Sequence, residues 1–256
     1  MLARMITLAI DGALAICTLA RPPVNAIDEE WLARLEGVLA AVERAPAVGT
    51  LLVRSTERAF CAGADLGLMR SRMASPEGRV RMVAFVREIQ RVFARLEQLP
   101  QVTLAEIGAS ALGGGLELAL CCDLRIAAED ARIGLPETRL GLLPGAGGTQ
   151  RLARIAGEAT AKRLILGAEI VSGEQAAALG IVQWAVSAKE LSARSRAIAL
   201  ELAALPAAAL LEAKRCIGAA IARQTPGYEM ELEATARLLA QEETQRRVRA
   251  FLEKRR

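Results

Sequence analysis

Residues 111–123 read ALGGGLELALCCD. Three glycines, Gly113 to Gly115, form a turn, and an apolar run from Leu116 to Leu120 enters a helix from it. Before the turn, Val102 to Ile107 reads as a buried strand; after it, Leu124 to Ala127 reads as another. Strand, turn, helix and strand in that order make a βαβ unit, and such units build α/β cores. Within the run Glu117 is out of place, because a carboxylate among apolar neighbours is costly unless something pairs with it.

The alternation continues on both sides. Met5 to Ile10 and Ala13 to Leu19 flank Asp11-Gly12, a hairpin signal. Asp28 is placed to cap a helix running to about Val42, with Trp31, Leu35, Val38 and Leu39 on one face. Thr50 to Val53 reads as a strand leading into a small-residue loop, AFCAGADL, at residues 59–66. Ser75-Pro76-Glu77 opens a helix to about Leu99, with an apolar stripe of Met82, Val86, Ile89, Phe93 and Leu96 and with Arg87, Arg91 and Arg95 on the opposite face. Beyond Ala159 the chain reads as wholly helical, with breaks at Ser172-Gly173, Gly180, Pro206 and Pro226-Gly227. The expected division is a core over 1–195 that carries the active site, followed by a helical region over 196–256.

Composition limits the chemistry. Among 256 residues there is no histidine. That excludes a Ser-His-Asp or Cys-His nucleophile, histidine-ligated zinc and an imidazole base. Aromatics are 3%, which argues against base stacking, and a net charge of +4 permits an anionic ligand without indicating nucleic acid. The five cysteines form no CxxC pair and read as reduced thiols of a cytoplasmic protein. Asp11-Gly12 breaks the N-terminal apolar run, against a signal peptide, and no window is long enough for a membrane span.

Without histidine, acid–base work falls to carboxylates, and two stand beside glycine-rich turns: Glu117, and Glu137 after Pro136. Each also has an ordinary reading as a first-turn carboxylate favoured by the helix dipole. Gly113 to Gly115 present free N–H groups at a helix start, which suit an anion or a developing oxyanion. The turn at Cys61 to Asp65 could bring a further N–H to the same ligand atom. Neither turn is a dinucleotide-binding GxGxxG or a phosphate loop ending in GK[ST].

Residues 59–66, 111–123 and 134–152 (GLPETRLGLLPGAGGTQRL) resemble, in order and spacing, the motifs of the enoyl-CoA hydratase/isomerase, or crotonase, superfamily. The likeness runs from RPPVNA at 21–26 to FLEKR at 251–255. It implies a crotonase-like spiral of repeated ββα units with a C-terminal helical trimerisation region, and a homotrimer or a hexamer of two trimers. It implies a hydro-lyase that adds water reversibly to a 2-enoyl-CoA and yields 3-hydroxyacyl-CoA. Glu117 and Glu137 match the two family glutamates, at the twenty-residue spacing of hydratases. Ala64 and Gly114 match the positions whose N–H groups form the oxyanion hole. Ala62, Asp65, Leu66, Pro136 and Gly145 are carried over as substrate- or CoA-binding positions, with Leu68 and Met69 near the acyl group.

No metal and no cofactor are implied, because CoA belongs to the thioester substrate. The GLELAL and LPETRLG segments are closest to the 3-methylglutaconyl-CoA hydratase branch. An enoyl-CoA isomerase is an alternative, although isomerases commonly keep only the position of Glu137; an RNA-binding homologue is another. Relatives that use a histidine for dehalogenation are excluded by composition. Two departures stand out. Gly108-Ala109 replaces the family's Asn-Gly, and Gly67 occupies the place of a CoA-binding lysine. In residues 241–256, six basic residues face three acidic ones, a helix end or a contact for CoA phosphates.

Overall fold

The structure is a computed structural model that describes residues 5–221 together with Glu233, Arg237, Glu242, Thr244 and Arg246. The expected hairpin forms. β1 (Ile6–Asp11) pairs antiparallel with β2 (Leu14–Leu19), turning one residue later than expected, at Gly12, whose φ is +59°, and Ala13. Asp28 then caps α1 (Glu29–Glu43) by accepting from the Trp31 N–H, and Trp31, Leu35, Val38, Leu39 and Val42 enter the core.

From there the chain repeats one motif. A long strand joins a large sheet, a short strand joins a small one, and a helix returns. β3 (Thr50–Ser55) is followed by β4 (Ala59–Cys61), β5 (Val102–Ile107) by β6 (Ser110–Leu112), and β7 (Leu124–Ala128) by β8 (Ile133–Gly134). The large sheet has the order β1-β2-β3-β5-β7-β10, parallel from β2 onward; the small sheet has the order β4-β6-β8-β9. This is the expected spiral of ββα turns, and each step between sheets sets a tight corner at one edge of the core.

The helix opened by Ser75-Pro76 forms as expected: Ser75 caps α3 (Pro76–Glu97) and Pro76 opens it, and a shorter helix, α2 (Leu66–Met73), precedes it. The buried stripe of α3 is Phe85, Ile89, Val92, Phe93 and Leu96; Met82 and Val86 are only partly covered. The arginine face is not a free basic surface. Arg91 holds both oxygens of Glu36 at 2.6 and 2.9 Å, and Arg95 reaches Glu43 at 2.5 Å. Those bonds tie α3 to α1 and hold the carboxyls of Glu36 and Glu43 below their usual range.

The region beyond Ala159 is not wholly helical, which corrects the sequence reading. After α5 (Gly148–Leu166), β9 (Ile170–Val171) pairs with β8; after α6 (Gly173–Ala178), β10 (Trp184–Val186) pairs parallel with β7. Two- and three-residue strands carry too little periodicity to stand out in an Ala-rich stretch. The expected division after residue 195 falls inside α7 (Leu191–Ala203), whose Ile198 and Ala199 are buried and whose Ser195 bonds Glu106 of β5. α8 (Ala207–Ile221) is joined to the sheet by Lys214, whose Nζ lies 2.8 Å from Asp123 Oδ2 and 2.9 Å from Leu99 O. The basic stretch 241–256 lies outside the described residues except for Glu242, Thr244 and Arg246. No described helix is long and apolar enough to cross a membrane.

Candidate active site

The corner after β6 carries the triple glycine. Gly113 has φ +55° and ψ −128°, a conformation open to glycine, and it precedes α4 (Gly114–Leu120). Its N–H bonds Gly134 O at 3.0 Å, so the corner is anchored to β8. The other two glycines allow a close approach to the loop after β4. A Cβ on Gly114 would stand 3.1 Å from Gly63 Cα, and one on Gly115 only 1.9 Å from Cys61 O. The start of α4 and the turn 61–65 are therefore in backbone contact.

That contact sets Ala64 and Gly114 side by side. A Cβ on Gly114 would lie 3.6 Å from Ala64 N. The neighbouring N–H groups have partners: Ala62 bonds Val24 O, and Asp65 bonds Ile27 O. Those of Ala64 and Gly114 have no acceptor among the described residues. Two free donors at a helix start, on adjoining turns, are suited to hold one oxygen that carries negative charge.

Asn25 underlies this turn and was not singled out by the sequence reading. It is fully buried with φ +53°. Its Nδ2 donates to Ser55 Oγ at 2.8 Å, Phe60 O at 3.0 Å and Ala59 O at 3.2 Å, and its Oδ1 accepts from Arg21 N. Asn25→Ala is expected to cost about 2–4 kcal/mol, because carbonyls are left unpaired and alanine must adopt a left-handed conformation. Urea unfolding checks this; a loss under about 0.5 kcal/mol would contradict it.

The two carboxylates flank the corner. Glu117, one turn into α4, is 3% exposed. Its Oε1 accepts from Ala146 N and Gly148 N, both at 2.8 Å. Burial pushes its pKa up to about 7. The Gly148 N–H opposes that rise, the charge of Glu137 adds to it, and the Ala146 N–H and the Arg151 guanidinium oppose it. Glu137 lies in the 3-10 turn Pro136–Leu140 that follows β8. Its Oε2 is buried with no hydrogen-bond partner in the structure, and burial raises its pKa above the usual carboxylate range. A Cβ on Gly113 would stand 3.0 Å from Glu137 Oε1, so Glu137 reaches the glycine corner. The first-turn, water-facing reading of Glu117 is thereby excluded.

The remaining expected residues fall in two groups. Ala62, Asp65 and Leu66 lie on the turn beside Ala64, where Asp65 caps α2 through Leu68 N at 2.9 Å and Leu66 is 68% exposed. Pro136 opens the 3-10 turn, and Gly145 lies on the loop before α5, where its carbonyl accepts from Gln90 Nε2 at 2.6 Å. That loop also supplies the two donors to Glu117. The sequence reading missed those donors and the buried Arg151 behind them, although an arginine set directly against apolar Leu152 and Ala153 was a visible signal.

Similarity to known proteins extends over nearly the whole chain. The family profile described as enoyl-CoA hydratase/isomerase matches residues 9–256. A putative enoyl-CoA hydratase/isomerase, YngF, of Bacillus subtilis (strain 168) is 38% identical over 246 residues, covering 95% of this chain and 93% of that protein. A mitochondrial methylglutaconyl-CoA hydratase of Mus musculus is 41% identical over 180 residues, covering 70% of this chain and 56% of that protein. Among solved structures, an enoyl-CoA hydratase from Bacillus anthracis superposes with a TM-score of 0.89 at 34% identity, covering 98% of this chain and 96% of that one.

Proposed function

The chain belongs to the enoyl-CoA hydratase/isomerase family and is an enzyme of it, and from that premise we propose that it adds water reversibly to a 2-enoyl-CoA thioester. The observation that carries this reading is a pair of carboxylates at one glycine corner, Glu117 buried and Glu137 with its Oε2 buried, beside two free N–H groups. Addition of water to the conjugated thioester puts negative charge on the thioester oxygen. The N–H groups of Ala64 and Gly114 would stabilise that charge, and losing one such donor typically costs about 3–4 kcal/mol of barrier.

The carboxylates divide the proton work by environment. Two N–H groups on Oε1 favour the ionised form of Glu117. Burial raises the pKa of Glu137 as well, and its orphan Oε2 is unencumbered to carry a proton and hand it on. Glu117 therefore takes a proton from water as the water oxygen bonds to C3. Glu137 delivers a proton to C2, and the C2–C3 double bond becomes single. Glu117 ends protonated and Glu137 ionised, and exchange with solvent resets both. Ala62, Asp65, Leu66, Pro136 and Gly145 border the thioester and CoA path. A trimer or a pair of trimers, and a cytoplasmic setting, complete the proposal.

The test is loss of absorbance of the conjugated thioester on crotonyl-CoA, with 3-methylglutaconyl-CoA and a 3-enoyl-CoA as parallel substrates. Turnover of the 2-enoyl thioesters supports a hydratase. Turnover of the 3-enoyl-CoA alone, by double-bond migration, would replace that reading with an isomerase. The proton assignment also predicts a pH profile. A base with a pKa of about 7 is ionised above that pH, so kcat/KM is expected to fall roughly tenfold per unit below it. A flat profile from pH 5 to pH 8 would contradict Glu117 as the base.

A further inference from the structure

The loop that serves Glu117 is held from behind. Arg151, in the first turn of α5, is 7% exposed. Its NH1 donates to Ala146 O at 3.0 Å, and its Nε and NH2 both reach Glu97 Oε2 on α3, at 3.0 and 2.8 Å. Glu97 Oε1 accepts from Arg154 NH2 at 3.2 Å. Ala146 is thus gripped on both sides of its backbone, with its carbonyl on Arg151 and its N–H on Glu117. Gly147, between the two donors, has φ +105°, and a Cβ there would stand 2.1 Å from Arg151 NH1. The positive φ and the guanidinium packed against it both favour glycine at 147.

We propose that Arg151, braced by Glu97, is a positioning residue that aims the Ala146 and Gly148 N–H groups at the Glu117 carboxyl. The proposal deepens the hydratase reading and rests on it for its catalytic consequence. A guanidinium suits the task, since its rigid planar fork directs separate N–H groups at a carbonyl and a carboxylate in fixed geometry. The charged and titratable groups around Glu117 are few. Glu137 faces it from the 3-10 turn and raises its pKa, while Arg151 from α5 lowers it. Cys121, on the same helix, bonds Glu117 O and is held neutral by burial. Glu97 approaches through Arg151.

The signs follow from these positions. Removing the cation favours the protonated form of Glu117, so its midpoint rises. Removing the counter-anion while keeping the cation leaves a more positive field, so the midpoint falls. Carbon-13 NMR of the side-chain carboxyls of glutamate-labelled full-length protein reads this directly, the Glu117 signal being assigned by its loss in Glu117→Gln. Arg151→Met is expected to raise the midpoint by about one pH unit, and Arg151→Lys to return most of that shift. Glu97→Gln is expected to lower it.

In the hydration assay the acid limb should move with the midpoint, and kcat should fall while KM changes less than about twofold. A Glu117 midpoint unmoved in Arg151→Met overturns the proposal. If that variant does not fold, Glu97→Gln decides by kcat at a pH above the acid limb, where a change of midpoint has no effect: a fall supports the positioning role, and a parental value overturns it. The NMR titration needs no turnover, so a parent protein inactive on every enoyl-CoA would defeat the hydratase reading while leaving this measurement able to judge the role of Arg151.

Discussion

Glu117→Gln is expected to lower hydration by about 10³-fold while leaving the fold intact or firmer, within the range that positioned acid–base groups contribute. Glutamine keeps an acceptor oxygen for the Ala146 and Gly148 N–H groups, which are both 2.8 Å from Oε1 in the parent. It cannot take the proton of the attacking water. The stability sign comes from linkage. Burial raises the folded-state pKa to about 7, above the unfolded value near 4.5. The folded state thus binds this proton more tightly, and the resulting stability is fully present below the unfolded pKa and is lost as pH rises through about 7. Above that pH a buried carboxylate opposes folding by roughly 3 kcal/mol at most. Glutamine removes this cost, so thermal unfolding at pH 8 should show Tm equal to or above the parent's, with the difference shrinking toward pH 5. Glu137→Gln should lower activity to a similar degree, since the amide cannot replace an acid that delivers a proton to carbon. If either single variant retains more than about a tenth of the parental kcat/KM, two-carboxylate hydration is wrong.

The same residues show how much was legible beforehand. Glu117 stood out because a carboxylate interrupted an apolar run, and its burial follows from that run becoming α4 against the small sheet. The hairpin, the Asp28 cap and strands β3, β5 and β7 were readable because local chemistry alone specifies them. What supports Glu117 was not. Ala146 and Gly148 lie 29 and 31 residues away, and a backbone N–H carries no side-chain signature. Arg91 and Arg95 could be placed on the face opposite the apolar stripe, but not paired, because their partners, Glu36 and Glu43, belong to another helix. β10 escaped notice for a related reason: it pairs with β7 from far along the chain as an edge strand, and three residues carry too short a pattern to announce it. Local signals fixed the elements, whereas the electrostatics of the site depend on contacts between elements far apart in the chain.

Gly115→Ala is the test of how tightly the site is built into the fold. A methyl group at this position would lie 1.9 Å from Cys61 O, 2.6 Å from Cys61 C and 3.0 Å from Cys61 Cβ. No rotamer relieves this, since the obstacle is main chain at the end of β4 and the intruding atom is a Cβ. Either α4 moves away from the turn 61–65 or the turn yields. In both cases Gly114 N and Ala64 N separate, because the same contact holds them side by side. Gly114→Ala makes a useful contrast, since its Cβ would meet Gly63 Cα at 3.1 Å and Ile27 Cδ1 at 3.5 Å, distances that a shift of a few tenths of an ångström accommodates. Overpacking ordinarily costs about 1–3 kcal/mol, and overlap with backbone belongs beyond that range. Gly115→Ala is therefore expected to lose more than about 3 kcal/mol, a fall in Tm of roughly 10 °C for a chain of this size. The fraction that remains folded should hydrate at least about 10²-fold more slowly, the typical loss when an oxyanion donor is displaced. Gly114→Ala should lose activity with a much smaller fall in Tm. If Gly115→Ala matches the parent in both Tm and kcat, then α4 and the turn do not touch as described, and the assignment of the Ala64 and Gly114 N–H groups to one oxyanion falls with that contact.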